Sequence, residues 1–112
     1  MSSMPRGGKT FLIYPTLEDR IVSVMHLNRG VMKDFTVQYD TILDGKWVEV
    51  TRIDTCHGSA HQHKFNPNNK EIIVEFFCNN YNEGFTQAKK FITENFEHMR
   101  HNYLTQATKR RL

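Results

Sequence analysis

Two dipeptides, Arg29-Gly30 and Asp44-Gly45, limit what this chain folds into more than any other feature of it. Each separates runs of residues suited to strands, 20–27, 32–43 and 46–54. A two-residue hairpin loop needs positive φ at both central positions, which Asp-Gly supplies and which glycine adopts without steric cost. If the ladders between the loops are regular, the register is fixed. Tyr39 then faces Val50, Val37 faces Arg52 and Phe35 faces Asp54, while Val24 faces Phe35 and Val22 faces Val37. Side chains alternate along a strand. One sheet face is therefore expected to carry Val22, Val24, Phe35, Val37, Tyr39, Val48 and Val50 as its core side. The other carries Thr36, Gln38, Asp40, Glu49 and Thr51, together with Trp47 and Ile53.

The rest of the chain extends this meander and then covers it. Residues 10–14 form a short apolar run stopped by Pro15, which suits an edge strand. Residues 66–69 read as a Pro/Asn turn, and 71–77 as a further strand rich in Ile and Val. Beyond them the period changes. Phe85, Ala88, Ile92, Phe96, Met99 and Tyr103 recur at steps of three and four, one stripe of an amphipathic helix. Asn82 is the expected N-cap and Gln106 the expected end. The fold class is α+β: a four- to five-stranded, mainly antiparallel meander packed against one long C-terminal helix. The division is a flexible arm over 1–9, a single domain over 10–106 and a basic tail over 107–112.

A chain of 112 residues buries a core without disulfides or structural metal. Its two cysteines, Cys56 and Cys78, form no CxxC pair and suit small buried fillers. With 15 basic and 12 acidic residues, the charge is too balanced for nucleic-acid binding by charge alone. No apolar run approaches membrane-spanning length, and the first nine residues lack the apolar stretch of a signal peptide. The expectation is a cytoplasmic protein with reduced thiols and no membrane partner.

The concentrated chemistry lies in residues 52–63, with Arg52, Asp54, His57, His61 and His63. On the regular register Arg52 and Asp54 fall on the core face, where a charge is costly unless paired. They lie two apart on one strand and so pair with each other. A four-residue loop over 57–60 returns the chain with His63 beside Asp54 and Phe65 beside Arg52. His61 and His63 then point to one side, and His26 falls at the same end of the sheet. Two chemistries fit. Metal-independent RNA cleavage needs a base, an acid and a cation for the phosphorane. Two of the three histidines supply the first pair, Arg52 the third, and Asp54 orients an imidazole. Alternatively, His61 and His63, with His57 or Asp54, ligate Zn²⁺ or a similar divalent ion. A plain structural reading competes with both, because an Arg–Asp pair also closes the end of a sheet. His98 and His101 read as structural or surface residues of the helix.

Arg52, Asp54, His57, Gly58 and His61, followed by Phe85 and Ala88, resemble an uncharacterised family of short prokaryotic proteins with an R-x-D-x-x-H-G-x-x-H pattern. Asp54, His61, His63 and Phe65 are more remotely similar to the TumE-type toxins of toxin–antitoxin systems. That second resemblance implies a toxin-like protein acting on RNA, with a cognate antitoxin as partner; separately, an uncovered edge strand would admit a second copy. The rival expectation is a non-enzymatic metal-binding or protein-interaction module.

Overall fold

The computed structural model describes residues 7–56 and 58–111. Six strands, one or two more than expected, form a single antiparallel sheet in sequence order. They are β1 (Gly7–Thr16), β2 (Asp19–Asn28), β3 (Val31–Leu43), β4 (Lys46–Asp54), β5 (His61–Phe65) and β6 (Glu71–Glu75). One helix, α1 (Tyr81–Arg111), packs mainly on β3 and lightly on β4. No helix among the described residues is long and apolar enough to cross a membrane.

Both loop dipeptides behave as their chemistry demands. Arg29 and Gly30 have φ of 53° and 79°, and Asp44 and Gly45 have 54° and 76°. The pairing next to each loop is the expected one, with Leu27 opposite Met32 and Asp40 opposite Glu49. Further along, each ladder slips by one residue. His26 pairs with Asp34, leaving Lys33 extra in β3; Tyr39 pairs with Thr51, leaving Val50 extra in β4. A bulge of one residue exchanges the faces of everything beyond it.

The bulges therefore correct the expected core. Val22 and Val24 lie on the face away from the helix, and Ile21 and Ser23 take their place, each at most 2% exposed. Arg52 and Asp54 likewise leave the core face, while Thr51 and Ile53 enter it. Phe35, Val37, Tyr39 and Val50 remain buried as expected and meet Phe85, Ala88, Ile92 and Tyr103 of the helix. Phe35 meets Phe85 edge-on, and Tyr39 meets Phe96 in the same way, at 5.7 and 5.8 Å between ring centres.

The helix limits differ from expectation at both ends. Asn80, not Asn82, is the cap: its Oδ1 accepts the Glu83 N–H at 2.9 Å. Gly84 lies in the first turn because a Cβ there would stand 2.7 Å from Cys78 Sγ. The helix continues to Arg111, past the expected end at Gln106. No Gly or Pro follows Gln106, and buried Ala107 extends the core stripe by one turn. Residues 107–111 are thus helix rather than tail, and residues 7–9 of the expected arm belong to β1; residues 1–6 lie outside the described residues. Cys56 is exposed, contrary to the expectation of a buried filler, whereas Cys78 is half-buried.

One carboxylate is drawn under the helix. Asp19, at the start of β2, is 1% exposed. Its oxygens accept from Thr16 Oγ1 at 2.6 Å, Tyr39 Oη at 2.6 Å and Thr41 Oγ1 at 2.9 Å. Burial alone pushes this carboxyl up, but the three hydroxyl donors, with the Arg100 charge, outweigh it and hold it below its ordinary value. The same contact and burial push the Tyr39 phenol up.

Candidate functional site

The face turned away from α1 carries the expected cluster. Regular alternation past the Val50 bulge puts Arg52 and Asp54 on this open face. Pairing of β4 with β5 sets Asp54 opposite His61 and Arg52 opposite His63. The expected partner of Asp54 was His63, so the register differs by two residues, with 55–60 forming the loop. A shift of two preserves the face. His61, His63 and Phe65 therefore stay beside Arg52 and Asp54.

Asp54 is the hub. It is 5% exposed, and Arg52 Nε donates to its Oδ2 at 2.8 Å. Its Oδ1 faces His63 Nε2 at 3.3 Å and accepts the Cys56 N–H at 3.4 Å. The His63 ring is buried, and its Nδ1 meets Glu71 Oε2 at 2.7 Å. Each ring nitrogen thus points at a carboxylate oxygen, which fixes the plane of the imidazole. Phe65 stacks on that ring with 10° between planes and lies under the Arg52 guanidinium at 5.4 Å. His61, half-buried, has its Nδ1 3.1 Å from the Ser59 carbonyl oxygen, a bond that a protonated Nδ1 donates.

Glu49 completes the group. Arg52 Nη1 donates to its Oε2 at 3.1 Å. Burial pushes the Glu49 carboxyl up; nearby Asp40 adds to this, and Arg52 opposes it without cancelling it. Next along the face, Asp40 accepts from Arg20 Nε and from Gln38 Nε2, both at 2.8 Å. The Arg20 guanidinium rests over Trp47 at 4.3 Å, which covers the indole that the sequence left on this side.

The remaining expected residues divide. His26 shares the open face but pairs with Asp34 across the β2–β3 ladder, two strands from Asp54. His57 lies outside the described residues. Among the described residues no group of three His, Cys, Asp or Glu side chains is arranged to hold a metal ion. His61 and His63 share a face, but His63 spends both nitrogens on Asp54 and Glu71.

Glu49 and Glu71 were not legible as site residues. Positions 49 and 52 face opposite ways on a regular strand, and only the extra residue at Val50 turns both outward. Glu71 had a faint signal: it opposes Phe65 across the β5–β6 hairpin, diagonal to His63. A separate groove of about 350 Å³ lies on the helix side of β5, lined by Gln62, Lys64, Phe91, His98 and Asn102 among others. It contains none of the ionic cluster.

A family model described as a domain of unknown function, DUF7718, matches residues 6–109. No curated protein and no solved structure matches the chain.

Proposed function

The chain belongs to the DUF7718 family, and we propose that its open sheet face is a metal-independent acid–base site acting on RNA phosphodiesters in a toxin-like role. One observation carries the reading: Glu49, Arg52, Asp54 and His63 form one hydrogen-bonded chain on an open face, and burial raises the carboxyl at its end. Clustered and perturbed ionisable groups of this kind mark functional sites more often than chance. The likeness of Asp54, His61, His63 and Phe65 to TumE-type toxins supports the substrate class.

This reading gives the expected cluster new roles and adds Glu49 to it. Glu49 is the base: a carboxyl raised toward neutrality is the better proton acceptor near working pH. It takes the 2′-hydroxyl proton as the O2′–P bond forms. Neutralised, it loosens its hold on Arg52, whose guanidinium then meets the charge growing on the phosphorane oxygens. His61 donates a proton to the 5′-oxygen as the P–O5′ bond breaks. His63 is a positioning residue, held by Glu71 and holding Asp54, which in turn aims Arg52.

A second reading rests on the charge of the same face. Asp34, Asp40, Glu49, Asp54, Glu71 and Glu75 outnumber Arg20 and Arg52 there. That balance suits a basic segment of a partner protein, such as a cognate antitoxin, better than a polyanion. Purified protein incubated with RNA in the presence of a chelator decides between them. The enzymatic reading expects 2′,3′-cyclic phosphate ends from the wild type and none from Glu49→Gln or His61→Ala. It also expects wild-type expression, but not Glu49→Gln, to slow bacterial growth. Intact RNA and equal growth favour the binding module.

A further inference from the structure

Beyond the cluster, the sheet edges differ in what they offer a partner. Every residue of β1 from Gly8 to Thr16 is exposed, and its one substantial packing partner is β2. Phe11, Leu12, Ile13 and Tyr14 follow one another and are 43%, 50%, 49% and 54% exposed. Alternation puts Phe11 and Ile13 on the helix side and Leu12 and Tyr14 on the open side, so the edge is apolar on both faces. No charged side chain lies between Thr10 and Thr16. Natural edges are usually blunted by charge, proline or a bulge. Here Lys9 precedes the stretch, and Pro15 with a register shift follows it; nothing interrupts the middle.

We infer that β1 is a dimerisation edge: two copies pair their β1 strands antiparallel about a two-fold axis at Leu12, continuing one sheet into the next. In that register Leu12 meets its own copy, Phe11 meets the partner's Ile13, and Thr10 meets the partner's Tyr14. No like charges oppose one another. Area supports a second copy. Aromatic side chains cover about 150–250 Å² each, and Leu and Ile lie near the lower end of that range, so the four half-exposed residues hold on the order of 350 Å² per copy. That is a little under half of the ~800 Å² per partner of a standard interface, with the strand backbone and its neighbours still to add.

Charge weighs against the other edge in its centred register. β6 also exposes Ile72, Ile73 and Val74. A two-fold axis at Ile73, however, sets Glu71 directly opposite the partner's Glu75, twice, and like charges across a strand pair repel. Pairing β1 of one copy with β6 of another is heterologous and adds copies in a ring or an open series rather than a two-fold dimer. The β1–β1 arrangement closes and, in its centred register, opposes no like charges.

Analytical ultracentrifugation of the full chain, from micromolar to near-millimolar concentration, tests this. The wild type is expected as a dimer that dissociates on dilution. Leu12→Lys sets two ammonium groups at the axis and is expected to give a folded monomer by circular dichroism. Ile73→Lys, at the other edge, is expected to stay dimeric. A wild type that is monomeric throughout overturns the inference. So does a folded, dimeric Leu12→Lys, a monomeric Ile73→Lys, or an open series of higher oligomers. Should Leu12→Lys not fold, hydrogen exchange of the wild type decides: the β1 amides gain protection as protein concentration rises, and exchange independent of concentration overturns the pairing.

Discussion

Asp19 and Glu49 are both carboxylates drawn into the sheet, on opposite faces, and their surroundings move their protons in opposite directions. Asp19, under the helix, is ringed by three hydroxyl donors that serve only its charged form. Glu49, on the open face, accepts from Arg52 and has Asp40 as an unfavourable neighbour. Burial raises both; only at Asp19 do the donors overcome it. A carboxylate saturated with neutral donors is an anchor for the fold. One that shares a guanidinium and meets a like charge keeps its proton within reach of chemistry.

Four measurements break or sharpen this contrast. The largest effect is expected at the anchor. Asp19→Ala removes the acceptor of three hydroxyls, of which those of Tyr39 and Thr41 are fully buried, and should cost about 3 kcal/mol by urea unfolding. At the poised carboxylate the loss should fall on rate instead. Glu49→Gln is expected to lower RNA cleavage by about 10²-fold or more, the usual yield of a general base, while changing stability by less than about 1 kcal/mol. Equal stability losses in the two variants would erase the distinction.

The third measurement follows stability with pH. The folded Asp19 carboxyl lies below its ordinary value of 3.8, so ionisation favours folding. Its contribution is full above that value and is lost as pH falls through the lower folded value. Glu49 is raised above 4.5, so its contribution is full below 4.5 and is lost as pH rises through the higher folded value. Wild type minus Asp19→Asn should therefore narrow toward acid, and wild type minus Glu49→Gln should narrow toward neutral pH. Parallel curves from acid denaturation series would contradict the opposite shifts. The smallest effect belongs to the helix side. Gly84→Ala forces Cys78 or the first turn to move and should cost about 1 kcal/mol, although alanine alone would favour the helix by a similar amount.

What the sequence revealed follows from where local chemistry decides geometry. Arg29-Gly30 and Asp44-Gly45 announced their loops because few other pairs tolerate two positive φ angles. The stripe from Phe85 to Tyr103 announced the helix because its period has one interpretation. The bulges at Lys33 and Val50 had no such sign, since neither is a glycine nor flanked by one. The one at Val50 moved Arg52 and Asp54 to the face opposite the expected one. Arg52, Asp54, His61 and His63 nonetheless stayed on one face, because that depends only on parity between β4 and β5, and the two-residue error there left parity intact. Glu49 joined for the converse reason: its place beside Arg52 exists only through the slip at Val50.

Chain length inside β4 is for this reason less negotiable than residue identity. Shortening the connection between β4 and β5 by two residues keeps His61 and His63 on the same face. Deleting Val50 alone turns the strand inside out from Thr51 onward: the guanidinium and carboxylate of Arg52 and Asp54 swing beneath the helix, and Ile53 swings into water. One lost codon at that point trades the interior of the molecule for its exterior, so a single-residue deletion there should leave no folded protein, while hydrophobic replacements of Val50 itself are absorbed.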